Sequence, residues 1–337
     1  MTRRSFVLAS TPFVLALAFL ANISLGPGSI SLFDAIGALF HMEADSYEGA
    51  VVLYQRLPRA LIAIYVGATM AVSGAVLQGL VRNPLASPST LGMNAGATVF
   101  VVAGAYLFDF GMTAQGMAAL VGALFGFFAC LAVARLAGGS ADPRGLALIL
   151  SGALVSILFI GIANAFLLSD PARRMDFLGW VTGNINHVYG DRLYAFWWIG
   201  AAALLLLAAL SRSLTLILLG HEKAASAGVR VGLVSNLAIG ATVLASGSAV
   251  AICGPIGFVG LVVPHILRPL VGSNLSALLP ACMVTGASVC LIADLCARAA
   301  FHPYVLHTGV LMDLLGGLVF IVIVRRFYLS GSARGLA

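Results

Sequence analysis

The chain has 337 residues, of which 61% are hydrophobic and 9% charged, and a formal net charge of +6. A soluble globule carries about a quarter charged residues, so this composition excludes a water-soluble fold and places the chain in lipid. The basic excess is read as loop anchoring and gives no reason to expect nucleic acid as a partner.

A membrane-spanning helix needs roughly 20 mostly apolar residues. Ten such stretches occur in chain order, near 5–25, 59–81, 91–110, 115–137, 145–168, 192–211, 231–253, 256–271, 277–300 and 306–327. The expected fold class is an all-α polytopic membrane protein, one membrane-spanning domain over 1–337. Two five-helix units, 1–168 and 191–330, are joined by segment 169–190. The first stretch opens on Arg3 and Arg4, as a secretory signal does. Its apolar run continues toward Leu25 without a small-x-small cleavage site, so a retained helix is expected.

With a cytoplasmic amino terminus, alternation puts twelve of the 18 Lys and Arg residues on the cytoplasmic side, opposed there by Asp142 and Glu222 alone. The other six, among them Arg56, Arg59, Arg173 and Arg298, share the opposite side with ten acids, including Glu43, Asp294 and Asp313. This bias agrees with the positive-inside rule and predicts both termini in the cytoplasm.

The run Gly67-Ala-Thr-Met-Ala-Val-Ser-Gly74 recurs as Gly240-Ala-Thr-Val-Leu-Ala-Ser-Gly247. Each copy lies in the second stretch of its half, and an odd number of spans per half makes the repeat inverted, as in many transporters. Both copies space small residues four apart, at Gly67, Ala71 and Ala75 and at Ala241, Ala245 and Ala249, which suits close helix packing. Each is followed by a stretch broken by Gly and Pro: Arg82-Asn-Pro-Leu-Ala-Ser-Pro88 and Gly254-Pro-Ile-Gly-Phe-Val-Gly260. Broken backbone at membrane depth must be satisfied by protein or line a cavity, so these stretches are the expected pathway walls or gates.

Cys130, Cys253, Cys282, Cys290 and Cys296 fall in or at the ends of apolar stretches without a C-x-x-C pair, and read as packing residues. No metal site, cofactor or catalytic group is expected. No G-x-x-x-x-G-K-[ST] loop occurs, so this chain is not expected to hydrolyse ATP itself. The series of buried acids or lysines that a proton relay needs is absent, with Asp313 the one acid placed to lie at membrane depth. Its expected place is near the interface, with substrate contact as the alternative. The segment from Leu219 through Gly220, His221, Glu222, Lys223 and Ala224 to Gly228 and Val229 reads as a short helix bracketed by two glycines. Spacing alone favours a solvated connector over a knob for a partner's groove. Gly228 tolerates backbone angles and close contacts that a β-branched residue does not.

Taken together, Arg56-Leu-Pro-Arg59, Ser73-Gly74 with Gln78, Arg82-Asn-Pro-Leu-Ala86 with Pro88, Leu91-Gly92 and Gly96-Ala97 resemble the FecCD family of ABC importer permeases. The resemblance continues through Trp180 and Gly183, Leu219-Gly220 to Gly228-Val229, Gly254-Pro-Ile-Gly-Phe-Val-Gly-Leu261, Pro264-His265 with Arg268, and Ala293-Asp294 with Ala297-Arg298. It implies a permease pairing with a second copy or a paralogous permease in a bacterial inner membrane. Two cytoplasmic ATPases and an extracytoplasmic substrate-binding protein complete the implied assembly. It further implies ATPase coupling by Leu219, Gly220, His221, Glu222, Ala224, Gly228 and Val229. Asn83, Pro84 and Leu85 would form a cytoplasmic gate, and Arg56, Arg59 and Arg298, at extracytoplasmic positions, would dock acidic residues on the two lobes of the binding protein. The commonest substrate of the family is an iron(III)-siderophore complex, with haem and cobalamin behind it.

Three departures bear on this. Ala227 stands where the family has Leu. In the last stretch, Thr308, Met312 and Leu318 replace Pro, Thr and Pro. Asp313 replaces a small residue. An ion-coupled secondary transporter, the distant alternative, would need intramembrane ionisable residues.

Overall fold

The computed structural model describes residues 3–26, 28, 30–41, 46–138, 145–300, 304 and 306–324. Asp142 and Glu43 of the charge reading lie outside them. The elements are helices α1 (Arg3–Ser24), α2 (Leu32–His41), α3 (Tyr47–Val51), a π turn (Val52–Arg56) and α4 (Leu57–Leu80), followed by α5 (Met93–Phe108), α6 (Met112–Leu136), α7 (Leu146–Ser169) and α8 (Pro171–Val181). A 3-10 turn (His187–Tyr189) leads into α9 (Gly190–Leu219), α10 (His221–Ser226), α11 (Val231–Cys253), α12 (Val259–Val271), α13 (Leu275–Ala299) and α14 (Thr308–Val324). Among the described residues, seven helical runs are long and apolar enough to cross a membrane, and three shorter apolar helices, Met93–Phe108, Val259–Val271 and Thr308–Val322, join them. Each of the ten stretches in the sequence coincides with one of these.

The boundaries differ in three places, each for a local reason. The second span starts at Tyr47 rather than near 59, because Ser46 caps it by accepting the Gly49 N–H at 3.0 Å. Pro58 has no N–H for an ordinary helical bond, and the π turn at Val52–Arg56 carries the chain past that defect instead of ending the helix. The sixth span runs on past Arg212 to Leu219, because Leu214 and Ile217 are buried in the bundle. Segment 169–190, read as a connector, contains α8, which starts on Pro171, a residue suited to a first helical position. The Asp170 carboxylate accepts the Arg173 N–H there at 3.3 Å.

Small residues set the packing. A Cβ added at Gly67 would overlap the Gly286 carbonyl, and one at Gly286 would overlap the Gly67 carbonyl, so α4 and α13 touch backbone to backbone. Gly96 and Gly122 do the same for α5 and α6. The two repeat copies lie side by side, with the Ser73 hydroxyl donating to the Thr242 carbonyl at 3.3 Å. Leu150, Leu154, Ile157 and Leu158 of α7 are exposed. A continuous apolar face of that kind requires lipid or another protein.

Candidate functional site

α4 and α9 run side by side in the same direction. Pro58 and Gly190 are neighbours at their starts, and Gly79 and Leu218 at their ends. A 24-residue helix spans about 36 Å, so α4 separates two polar ends of the bundle.

At the far end of α4 the chain closes in a Schellman motif: the Asn83 N–H donates to the Gln78 carbonyl at 3.2 Å and the Arg82 N–H to the Gly79 carbonyl at 3.2 Å. Arg82 takes the left-handed position that glycine usually fills, with φ 54°. Asn83 is buried, and its side-chain oxygen accepts the Leu85 N–H at 3.0 Å, turning the chain at Pro84. Thr90 then ties the loop, its hydroxyl donating to the Leu85 carbonyl at 3.1 Å and accepting the Ser87 N–H at 2.8 Å. This loop packs against the start of α12: a Cβ at Gly260 would lie 3.2 Å from Pro88 Cδ. Pro264 cannot donate to the Gly260 carbonyl. The Gln78 side chain donates there instead, at 3.4 Å, and to the Leu261 carbonyl at 3.1 Å. The two broken stretches of the sequence therefore meet across the bundle.

The second break, between α11 and α12, has Gly254 at φ 79° and Phe258 at φ 61°. Its backbone is satisfied by the segment after α8. The Asn184 N–H donates to the Cys253 carbonyl at 2.9 Å, and the Gly309 N–H of α14 to the Gly183 carbonyl at 2.7 Å. Asp313 lies one turn further along α14, exposed, with its carboxylate against the Gly257 backbone.

α10 forms a second Schellman motif. The Val229 N–H donates to the Ala224 carbonyl at 3.0 Å and the Gly228 N–H to the Ala225 carbonyl at 3.0 Å, with Gly228 at φ 82°. Only Ala224 is buried; His221, Glu222, Lys223 and Gly228 are exposed, as is Leu219 before them. Nothing lies within 4 Å of a Cβ placed on Gly228, so its backbone angle, and not crowding, calls for glycine. The segment is thus an exposed knob at the same end as the Asn83 loop.

At the opposite end Arg56, Arg59 and Arg298 are only 3%, 7% and 6% exposed, and form a buried cluster. The Arg56 guanidinium donates to the carbonyls of Ile23 (2.9 Å), Ser24 (2.7 Å) and Gly28 (2.6 Å). Arg59 Nη2 lies 2.7 Å from Asp294 Oδ1, and Arg298 Nε lies 3.1 Å from Asp294 Oδ2. The second contact is an ion pair by distance, but its N–H is not aligned for a hydrogen bond, and Arg59 Nε is likewise buried without an acceptor. Asp294 also accepts from Asn22 Nδ2 at 3.2 Å and Thr308 Oγ1 at 3.3 Å.

Sequence reasoning named Asp313 as the acid that could lie at membrane depth, with the interface as its expected place, whereas among the described residues Asp294 is the fully buried acid. The signal was present, since Asp294 and Arg298 stand four apart on an apolar helix, where their side chains meet. The roles of Asn22 and Thr308 had no such signal, because their partner is remote in sequence.

The chain matches the model of the FecCD transport family over residues 14–326. It is 34% identical over 323 residues to the probable siderophore transport system permease protein YfiZ of Bacillus subtilis (strain 168), covering 95% of this chain and 96% of that one. To the Fe(3+) dicitrate transport system permease protein FecD of Escherichia coli (strain K12) it is 36% identical over 317 residues, covering 93% and 96%. A solved chain described as an inward-facing conformation of a metal-chelate type ABC transporter superposes with a TM-score of 0.77 at 27% identity, covering 96% of this chain and all of that one. Ten apolar helices, two broken stretches that meet, and a family match over nearly the whole length lead to one conclusion: the chain is a multi-pass membrane permease belonging to the FecCD transport family.

Proposed function

We propose that the chain is the membrane subunit of an ATP-driven importer for a metal chelate, an iron(III)-siderophore complex first, with haem or cobalamin as the alternative. The observation that carries this is the meeting of the two broken stretches, at Pro88 and Gly260, beside an exposed knob at the same end. Interrupted segments at corresponding places in two halves mark the translocation path of many transporters, and the relatives named above are permeases of siderophore and iron-citrate systems.

In this reading the chain forms two inverted five-helix repeats, 1–168 and 191–330, joined by a periplasmic segment 169–190, with both termini cytoplasmic. It pairs with a second copy or a paralogous permease. The knob from Leu219 to Val229 seats in a cytoplasmic ATPase, so that ATP-driven movement of the partner is transmitted along α9 and α11. The loop at Asn83, Pro84 and Leu85 is the cytoplasmic gate, and Asp313 faces the pathway. Arg56, Arg59 and Arg298 dock an acidic substrate-binding protein. Buried as they are, they act through their field and through the Ile23, Ser24 and Gly28 carbonyls that Arg56 holds, rather than as projecting side chains. Import of a labelled ferric chelate that requires ATP tests the reading as a whole.

Orientation has its own test. In a Cys296→Ser background, which removes the one exposed native thiol among the described residues, Arg173→Cys is expected to react with an impermeant thiol reagent on intact cells. Lys223→Cys is expected to react only after the membrane is opened. Labelling of Lys223→Cys in intact cells would reverse the orientation.

A further inference from the structure

The Asp294 cluster contains more than a docking pad requires. One fully buried carboxylate serves Arg59, Arg298, Asn22 and Thr308 together. Thr308 is the first residue of α14, and it stands where the family resemblance expects proline, which has no hydroxyl. The next residue, Gly309, bonds to Gly183, and farther along Gly316 packs on Phe258 of the second break. The start of α14 is therefore tied to the same carboxylate that holds two of the arginines. Of their donors Arg59 Nε is buried with no hydrogen-bond acceptor, while Arg298 Nε has only its 3.1 Å ion pair with Asp294 Oδ2.

We propose that Asp294 is a positioning residue that relays docking to α14: the field of an acidic partner weakens the hold of Arg59 and Arg298 on Asp294, Asp294 relaxes, and its bond to Thr308 changes. The idea rests on the docking reading above and adds a route from the pad to the wall of the pathway. Both guanidinium groups share one buried carboxylate, so negative charge brought to this end competes with Asp294 for them without entering the cluster. The ligand class recognised is thus an acidic side chain on a protein surface.

Asp294 itself is a poor probe, since its removal strips the cluster of its carboxylate. Thr308 cuts the relay while leaving the arginine pairs in place. The assembled transporter, in a Cys296→Ser background with the reporter Leu318→Cys on the exposed face of α14, is compared with Thr308 intact, as Thr308→Ser and as Thr308→Val. The probe is the substrate-binding protein that co-purifies with it. With Thr308 intact, docking should change the thiol-labelling rate of the reporter about fivefold or more, the low end of ordinary coupling between two sites. Thr308→Ser, which keeps the hydroxyl, should behave alike. Thr308→Val should bind the partner equally tightly yet show no docking-dependent change. A merely structural Thr308 would alter the basal rate and leave the response to docking intact, and that result overturns the relay alone. If no binding protein associates with any variant, the docking reading fails and the relay fails with it.

Discussion

Replacing Asp294 by alanine is expected to destabilise the folded bundle by about 3 to 5 kcal/mol, the range seen when one partner of a buried ion pair is removed. Asp294 is fully buried between Arg59 and Arg298, themselves nearly so. The substitution leaves two guanidinium groups without the carboxylate that offsets their desolvation, and at the same time removes an acceptor from Asn22, which keeps its bond to the Leu291 carbonyl, and from Thr308. The thermal midpoint of the purified permease in detergent measures it. Adding Arg59→Met to Asp294→Ala should recover part of the loss, because one uncompensated charge goes with it. That partial recovery separates charge burial from simple loss of volume. An Asp294→Ala permease within about 1 kcal/mol of wild type would mean that water reaches the cluster and that the pair behaves as a surface salt bridge.

Gly228→Val is expected to leave the protein inserted and folded but to reduce transport at least about tenfold, a loss of roughly 1.4 kcal/mol or more in coupling. The cause is local. Gly228 closes the Schellman motif of α10 at φ 82°, and a residue with a Cβ pays roughly 1 to 2 kcal/mol in that left-handed region. A β-branched residue fits it worst, while asparagine enters it readily. Nothing lies near a Cβ at this site, so size alone should not matter within the permease. Gly228→Asn should therefore retain most of the transport that Gly228→Val loses. Equal loss in both would move the explanation to crowding against the ATPase. Normal transport in both would remove the knob from the coupling path.

The spans were legible because lipid demands long apolar runs, and ten of them stand out from the charged loops. Helix ends were less so. Arg212 looked like an end because charge marks a boundary in most membrane chains, yet the buried Leu214 and Ile217 carry α9 two turns further. The beginning of α4 was hidden for another reason: Pro58 reads as a helix start, whereas a π turn absorbs it inside a longer helix. The glycine-bracketed helix at His221–Ser226 was visible from spacing, and the structure adds that its second glycine is demanded by angle. The arginines were found in the sequence but their burial was not. Burial there depends on Asn22, Asp294 and the carbonyls of Ile23, Ser24 and Gly28, which come from α1, the segment after it and α13, and no spacing rule brings those together. The joining of Pro88 to Gly260 was hidden for the same reason.

The most direct test of the account is uptake in proteoliposomes containing the permease with its co-purifying ATPases, the binding protein outside and ATP enclosed. Labelled ferric citrate, a ferric hydroxamate, haem and cobalamin are offered in turn. The account predicts accumulation of a ferric chelate that stops when ATP is replaced by a non-hydrolysable analogue and is indifferent to collapse of proton and sodium gradients. Accumulation that persists without ATPases and follows an ion gradient would contradict it, making this chain a secondary transporter.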